Sequence, residues 1–359
     1  MKRVLLVFPT QWDLRQLESC RAEWQDEFEI VLGSPTEQEL PDDFDAPAWV
    51  ERCAAQYRGS IDGVFASCDY PGAAVAALLA ERLGLPGSPP AAVLCAAHKY
   101  YARRVQRESV PEATPRFEWL DPQAAPPRAL ATGFPCFVKP VKGLFSRWAR
   151  RVDDPDELAR LLANPALREF LASWSATFER LLAPYPEFAR GARALVAEEL
   201  LGGELVTLEG LRQGSRLEIL GVVDSGVDPA TRSFTRFDLP SRLPASVQAR
   251  MAELARRLVP ALGLDCTLFN IEMFWEPRSD RIAIVEVNPR MVGQFADLYA
   301  RTRGGSSYLD ALRLATGAAP LERPAQPAGC AASVPLRTFE PVRVRRAPPP
   351  GNSRSSAPL

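Results

Sequence analysis

The 359-residue sequence predicts an α/β protein: an open parallel sheet first, then two lobes of mixed α+β structure. Three observations predict it. The first 90 residues alternate short β-rich runs with helical periodicity, the pattern of strands joined by crossover helices. Further on, strand-length runs are joined by tight turns, as in antiparallel sheets. Between them lies an amphipathic stretch from Pro244 to Leu262, with proline at its start and Gly263 at its end.

In order, Val4–Phe8, Phe28–Leu32 and Ile61–Ala66 read as strands. Asp13–Gln25, Pro47–Tyr57 and Gly72–Leu83 read as the helices around them. No G-x-G-x-x-G occurs, which excludes dinucleotide binding in the Rossmann manner. Gly84-Leu85-Pro86-Gly87-Ser88 breaks the chain. Ala91–Glu108 then reads as one helix with Lys99 inside it, and taken alone that lysine is a solvated helix residue. Cys95 and His98 lack further metal ligands nearby and read as ordinary helix residues.

Phe134–Pro140 is an apolar strand closed by Lys139 and Pro140. A charge ending a buried strand needs a partner, and a polyphosphate is a suitable one. The following loop, Val141–Val152, carries Lys142, Arg147, Arg150 and Arg151, which either clamp an anion or are surface charges. Asp156–Ala172 and Trp174–Leu182 are helical, punctuated by Asn164-Pro165. Ala194–Glu204 reads as a strand and a Gly-Gly turn, and Leu205–Leu211 pairs with Arg216–Val223 across Gln213-Gly214-Ser215.

The richest stretch is Leu264–Gln294. Phe269, Ile271, Met273 and Trp275 alternate with Asn270, Glu272 and Phe274 on one strand, and Arg281–Asn288 forms the next. A five-residue Glu276–Asp280 loop, being odd, would set Glu272, Glu286 and Asn288 on one face, with Arg290 just beyond. Two carboxylates and an amide oxygen suit Mg²⁺. The alternative is a pair of solvated glutamates, but paired charges on an otherwise apolar strand are costly without a cation.

Glu272 followed by Glu286-Val287-Asn288-Pro289-Arg290 resembles the metal–nucleotide signature of the ATP-grasp superfamily. Phe134-Pro135 through Lys139-Pro140, and Glu198 through Gly202-Gly203-Glu204, resemble its phosphate strand and its hinge. The resemblance spans roughly residues 1–318. It implies a pre-domain at 1–90, a linker helix and central lobe at 91–190, and a closing lobe at 191–318. It implies ATP and two Mg²⁺ ions, with Mn²⁺ an acceptable substitute. Lys99, Lys139 and Ser146 fall at phosphate-side positions; Glu198, Glu199 and Leu200 fall along the adenine edge, and Glu204 at the ribose. Glu272, Glu286 and Asn288 fall at the metal, with Arg290 and Lys139 catalytic. His98 departs from the usual acidic residue before the first lysine, and Phe145 and Trp148 are bulky for a phosphate loop. The implied reaction is ligation of a carboxylate to an amine through an acyl phosphate. The rivals are a bicarbonate acceptor and a nucleotide-binding module without turnover.

Composition narrows the classes further. A net charge of −1 argues against nucleic-acid binding. Apolar runs are only strand-length, so neither a membrane span nor a signal peptide is expected. Seven scattered cysteines without a C-x-x-C fit a cytoplasmic protein, and a single histidine disfavours a Ser-His-Asp triad. Small-molecule substrates are the expected partners, with room for a homodimer. From Pro320 the chain is rich in Pro, Ala and Arg, so residues 319–359 are expected to be a disordered, dispensable tail.

Overall fold

A computed structural model describes residues 1–41, 43–143, 146–228, 231, 233–323, 329–335 and 343. Three sheets organise it. The first is parallel, in the order β2-β1-β3: β1 (Lys2–Leu6), β2 (Phe28–Leu32) and β3 (Gly63–Phe65). The helix expected over 13–25 is two, α1 (Gln11–Ser19) and α2 (Arg21–Trp24), because the backbone leaves helical geometry at Cys20. Thr10 and Asp13 form a capping box that starts α1. α3 (Ala46–Tyr57) and α4 (Ala74–Leu83) complete this unit.

The single helix expected around Lys99 is also two, α5 (Pro90–Ala97) and α6 (Lys99–Ser109). His98 sits at the break and caps α6: its Nδ1 accepts from the Tyr101 amide at 3.4 Å, so Nε2 carries the proton and donates to the Gly191 carbonyl at 2.8 Å. Burial pushes this imidazole down to about 4, so it stays neutral. Lys99 therefore opens a helix rather than riding inside one, and its amide donates to the Val141 carbonyl at 2.9 Å.

The second sheet is antiparallel, in the order β4-β7-β5-β6: β4 (Phe117–Leu120), β5 (Cys136–Pro140), β6 (Arg150–Val152) and β7 (Leu195–Glu199). Its cover is α7 (Pro155–Ala163), α8 (Pro165–Trp174) and α9 (Ala176–Leu182); Asp154 and Asn164 cap the first two, each with proline in the first turn. A lobe boundary at 190 would assign β7 to the closing lobe, but β7 pairs with β4 and β5. The crossover to the third sheet comes later, at Leu200–Gly203. Gly203 has φ +109°, and a Cβ there would lie 2.2 Å from the Trp275 carbonyl oxygen, so only glycine passes this point.

The third sheet runs β12-β11-β8-β9-β10-β13. Its strands are β8 (Glu204–Gln213), β9 (Arg216–Val227), β10 (Phe234–Leu239), β11 (Thr267–Glu276), β12 (Arg281–Asn288) and β13 (Ala331–Ser333). α10 (Ala245–Ala261) contributes Met251, Ala255, Leu258 and Val259 to the largest apolar core. α11 (Ala296–Tyr299) and α12 (Ser307–Ala315) return the chain to the first sheet. There the Tyr308 hydroxyl donates to Asp13 at 2.6 Å, and Gly63 leaves room for the Ala315 carbonyl.

β13 overturns part of the expected disordered tail. Residues 331–333 pair antiparallel with β10, and the fully buried Arg323 forms an ion pair with Asp310. Composition had suggested too little apolar surface to order this segment. It is ordered instead by an open sheet edge and a buried counter-charge. The expectation for 324–328, 336–342 and 344–359 lies outside the described residues.

Candidate active site

Glu272 and Glu286 face each other across β11 and β12, and Asn270 faces Asn288. The expected route to that register was wrong. Glu276 pairs with Arg281, so the turn holds four residues, not five, and its parity alone would set the carboxylates on opposite faces. A β-bulge between the Glu272 and Met273 pairs restores the register by making Val285 the extra residue. The bulge also puts the Val285 carbonyl to use: Arg103 Nη2 donates to it at 2.7 Å and Lys139 Nζ at 3.4 Å.

Asn288 Nδ2 donates to Asn270 Oδ1 at 2.9 Å, and Asn270 Nδ2 donates to the Arg290 carbonyl at 3.1 Å. The oxygen end of the Asn288 amide is thus the end left for a ligand. Burial, and then the charge on Glu286, push the Glu272 carboxyl up to about 7. Burial also opposes ionisation of Glu286, but Lys99 and Lys139 outweigh it and hold that carboxyl low. A half-buried carboxylate pair with an adjacent amide oxygen is a donor set that fits Mg²⁺. Among the described residues no group of three or more His, Cys, Asp or Glu is placed to hold a metal.

The cations meet this pair from three directions. Lys99 Nζ lies 3.0 Å from Glu286 Oε2 and donates to the Gly143 carbonyl at 3.3 Å. Lys139 Nζ lies 2.9 Å from Glu198 Oε2. Lys142 Nζ lies 2.8 Å from Asp69 Oδ1, and Arg290 Nη2 lies 3.0 Å from Asp69 Oδ2. A cleft of about 250 Å³ is lined by Asp69, Lys99, Lys142, Gly143, Glu286 and Asn288. Burial would raise the Asp69 carboxyl, but Lys142 and Arg290 hold it far below the usual range. Burial lowers the Lys139 ammonium, with Arg103 and Lys99 acting against Glu198.

Other expected residues lie elsewhere. Glu198 is in register between Phe117 and Phe137, so its peptide groups belong to the sheet, and its side chain is committed to Arg103 and Lys139. Glu199 pairs with Arg116 and Arg281. Leu200, one residue past the strand, is 37% exposed, and Glu204 is exposed at the head of β8. Ser146 is exposed in a turn with φ +54° and does not line the cleft. The expectation for Phe145 falls outside the described residues. Of the four basic loop residues, only Lys142 turns into the cleft. Arg147 lies over the Phe170 and Trp174 rings, and Trp148 also approaches Phe170. Arg151 pairs with Asp153, and Arg150 is an exposed β6 residue opposite Val138.

Sequence reading missed Arg103 and Asp69. Arg103 had a usable signal: it lies one helical turn after Lys99 and so shares its face. Asp69 had none, because its partners Lys142 and Arg290 are remote in sequence.

The ATP-grasp domain family matches residues 132–297. Carnosine synthase 1 of Gallus gallus is 31% identical over 264 residues, which is 70% of this chain and 27% of that protein. The chain thus spans about a quarter of that relative's length. Among solved structures, L-amino acid ligase from Bacillus licheniformis superposes with a TM-score of 0.66 at 19% identity, covering 90% of this chain and 75% of that one. Biotin carboxylase from Campylobacter jejuni, solved as a β-γ-ATP complex, gives 0.64 at 14% identity, covering 92% and 74%. Residues 132–297 are an ATP-grasp domain.

Proposed function

We propose that this protein is an ATP-dependent ligase that activates a carboxylate as an acyl phosphate and joins it to an amine. The observation that carries this is the convergence of Lys99, Lys142, Asp69, Glu286 and Asn288 on one cleft, with Lys139 and Arg290 tied to the same network. Five cations around four carboxylates suit the transfer of a phosphoryl group. Lys99 and Lys139 bind nucleotide phosphates, and Lys99 exchanges Glu286 for phosphate as ATP enters. Glu272, Glu286 and Asn288 would hold two Mg²⁺ ions, or Mn²⁺, which when bound would offset charge on the phosphate oxygens. At the hinge, the peptide groups of Leu200 meet the adenine edge and the Glu204 carboxylate meets the ribose hydroxyls.

The substrate carboxylate oxygen attacks the γ-phosphorus and ADP leaves. Arg290, set beside Asp69 and Lys142, steadies the acyl phosphate and then the oxyanion formed as the amine adds to the acyl carbon. Phosphate departs with the bridging oxygen and takes up the proton that the amine nitrogen loses as the amide forms. The only histidine is buried and neutral in a helix cap, and this sequence of steps asks no acid–base work of it.

Nucleotide chromatography with paired carboxylates and amines tests the proposal. ADP and inorganic phosphate should form rapidly only when both substrates are present. AMP and pyrophosphate as main products would overturn it.

A further inference from the structure

We infer that Arg103 is a positioning residue: by taking most of the charge of Glu198, it leaves the Lys139 ammonium available to the phosphates of ATP. The geometry is that of two cations on one carboxylate. Arg103 Nε donates to Glu198 Oε1 at 2.8 Å and Nη2 to Oε2 at 3.0 Å, while Lys139 reaches only Oε2, at 2.9 Å. All three side chains are at least nine-tenths buried. With Arg103 present the cluster keeps one net positive charge. Without it, Lys139 and Glu198 would form a closed neutral pair at the end of β5, and a phosphate would meet a spent lysine.

A second contact ties Arg103 to the carboxylate pair. Its Nη2 donates to the carbonyl of Val285, the bulge residue that brings Glu286 opposite Glu272, and Lys139 donates to the same oxygen. Arg103 thus joins α6, the four-stranded sheet and the six-stranded sheet through one guanidinium. Lysine could not do this, because a fork is needed to hold both carboxylate oxygens and a carbonyl. Stability alone does not require such a cluster, since apolar residues of similar size often serve a buried site as well or better.

Because the inference relies on Lys139 as a phosphate ligand, the test measures both residues. ATP affinity, with Mg²⁺, is determined for the full-length protein by calorimetry below the melting temperature of each variant. The variants are Lys139→Met, Arg103→Met, Arg103→Lys and the double variant Arg103→Met/Glu198→Gln. Arg103→Met should weaken ATP binding roughly tenfold or more, approaching Lys139→Met, because a neighbouring unit charge has gone. Arg103→Lys keeps the charge but not the fork, and its affinity should fall between wild type and Arg103→Met. The double variant should recover most of what Arg103→Met loses, since Lys139 is no longer neutralised. A purely structural role would move melting temperatures without this charge rescue in affinity.

Should Arg103→Met fail to fold, the double variant decides, with Lys139 as the one charge left in the cluster: affinity near wild type supports the inference, and affinity as poor as Lys139→Met overturns it. Wild-type affinity in folded Arg103→Met also overturns it. Unchanged affinity in Lys139→Met would remove the phosphate role of Lys139 itself, and the inference with it.

Discussion

Two carboxylates in this protein each sit between two cations, and a third site breaks the pattern. Glu198 lies between Arg103 and Lys139, and Asp69 between Lys142 and Arg290. Glu286 has one cation in contact, Lys99, and faces a second carboxylate, Glu272. The first two clusters carry surplus positive charge, and the third lacks it. Under the proposed function, the deficit is the place a metal ion would fill and the surplus the place phosphate would fill. The two cation-rich clusters also differ. Glu198 and its partners are internal to the ATP-grasp lobes, whereas Asp69 comes from the N-terminal unit and holds it to Arg290.

The largest effect is expected at the deficient site. Glu286→Gln should lower kcat by roughly a hundredfold or more, as loss of a group that organises transition-state charge does. Its melting temperature should stay near wild type, because the change also removes a like charge from Glu272. A folded Glu286→Gln with near-normal ATP consumption would show that the deficit is not a metal site.

Asp69→Asn comes next. It leaves Lys142 and Arg290 without their carboxylate, at a cost of roughly 3 kcal/mol. Chemical denaturation should show this loss at neutral pH and a smaller one in acid. The sign follows from a depressed pKa. Asp69 and Glu198 contribute stability above their ordinary values of 3.8 and 4.5, and lose it as pH falls; for Glu198 the loss runs down to about 2. An equal difference between wild type and variant at pH 7 and pH 2.5 would contradict the account.

The tail gives a smaller effect. Truncation after Arg323 removes β13 and bares the β10 edge, costing about 1–2 kcal/mol for three cross-strand pairs. Truncation after Glu322 also strands buried Asp310 and should cost several kcal/mol more. Equal melting temperatures for the two truncations would show that the Arg323–Asp310 pair does not hold the tail. Smallest of all, Ser146→Ala should change ATP affinity less than about twofold, since its side chain is exposed and outside the cleft. A larger loss would return the phosphate-side role to that turn.

Alternation and turn chemistry made most of the fold legible in the sequence: the parallel sheet, the β8–β9 and β11–β12 pairs, and α10 between them. Glu272, Glu286 and Asn288 were legible as neighbours because they lie on adjacent strands, and Arg290 because it follows the second strand by two residues. The bulge at Val285 was not, because an extra residue leaves no periodic signature in an apolar run. β4, β6, β10 and β13 were missed because such short strands carry little local pattern of their own. The helix break at His98 was hidden by an imidazole acting as a cap, a role usually filled by Ser, Thr, Asp or Asn. Asp69 is the plainest limit, since its role exists only once residues 69, 142 and 290 are folded together.

The central claim is that phosphate is transferred to a substrate carboxylate. Oxygen-18 placed in that carboxylate tests it most directly, with mass spectrometry of the phosphate released during ligation. The account predicts one labelled oxygen in each inorganic phosphate formed, carried over from the acyl phosphate bridge. Unlabelled phosphate alongside a normal yield of ligated product would contradict it.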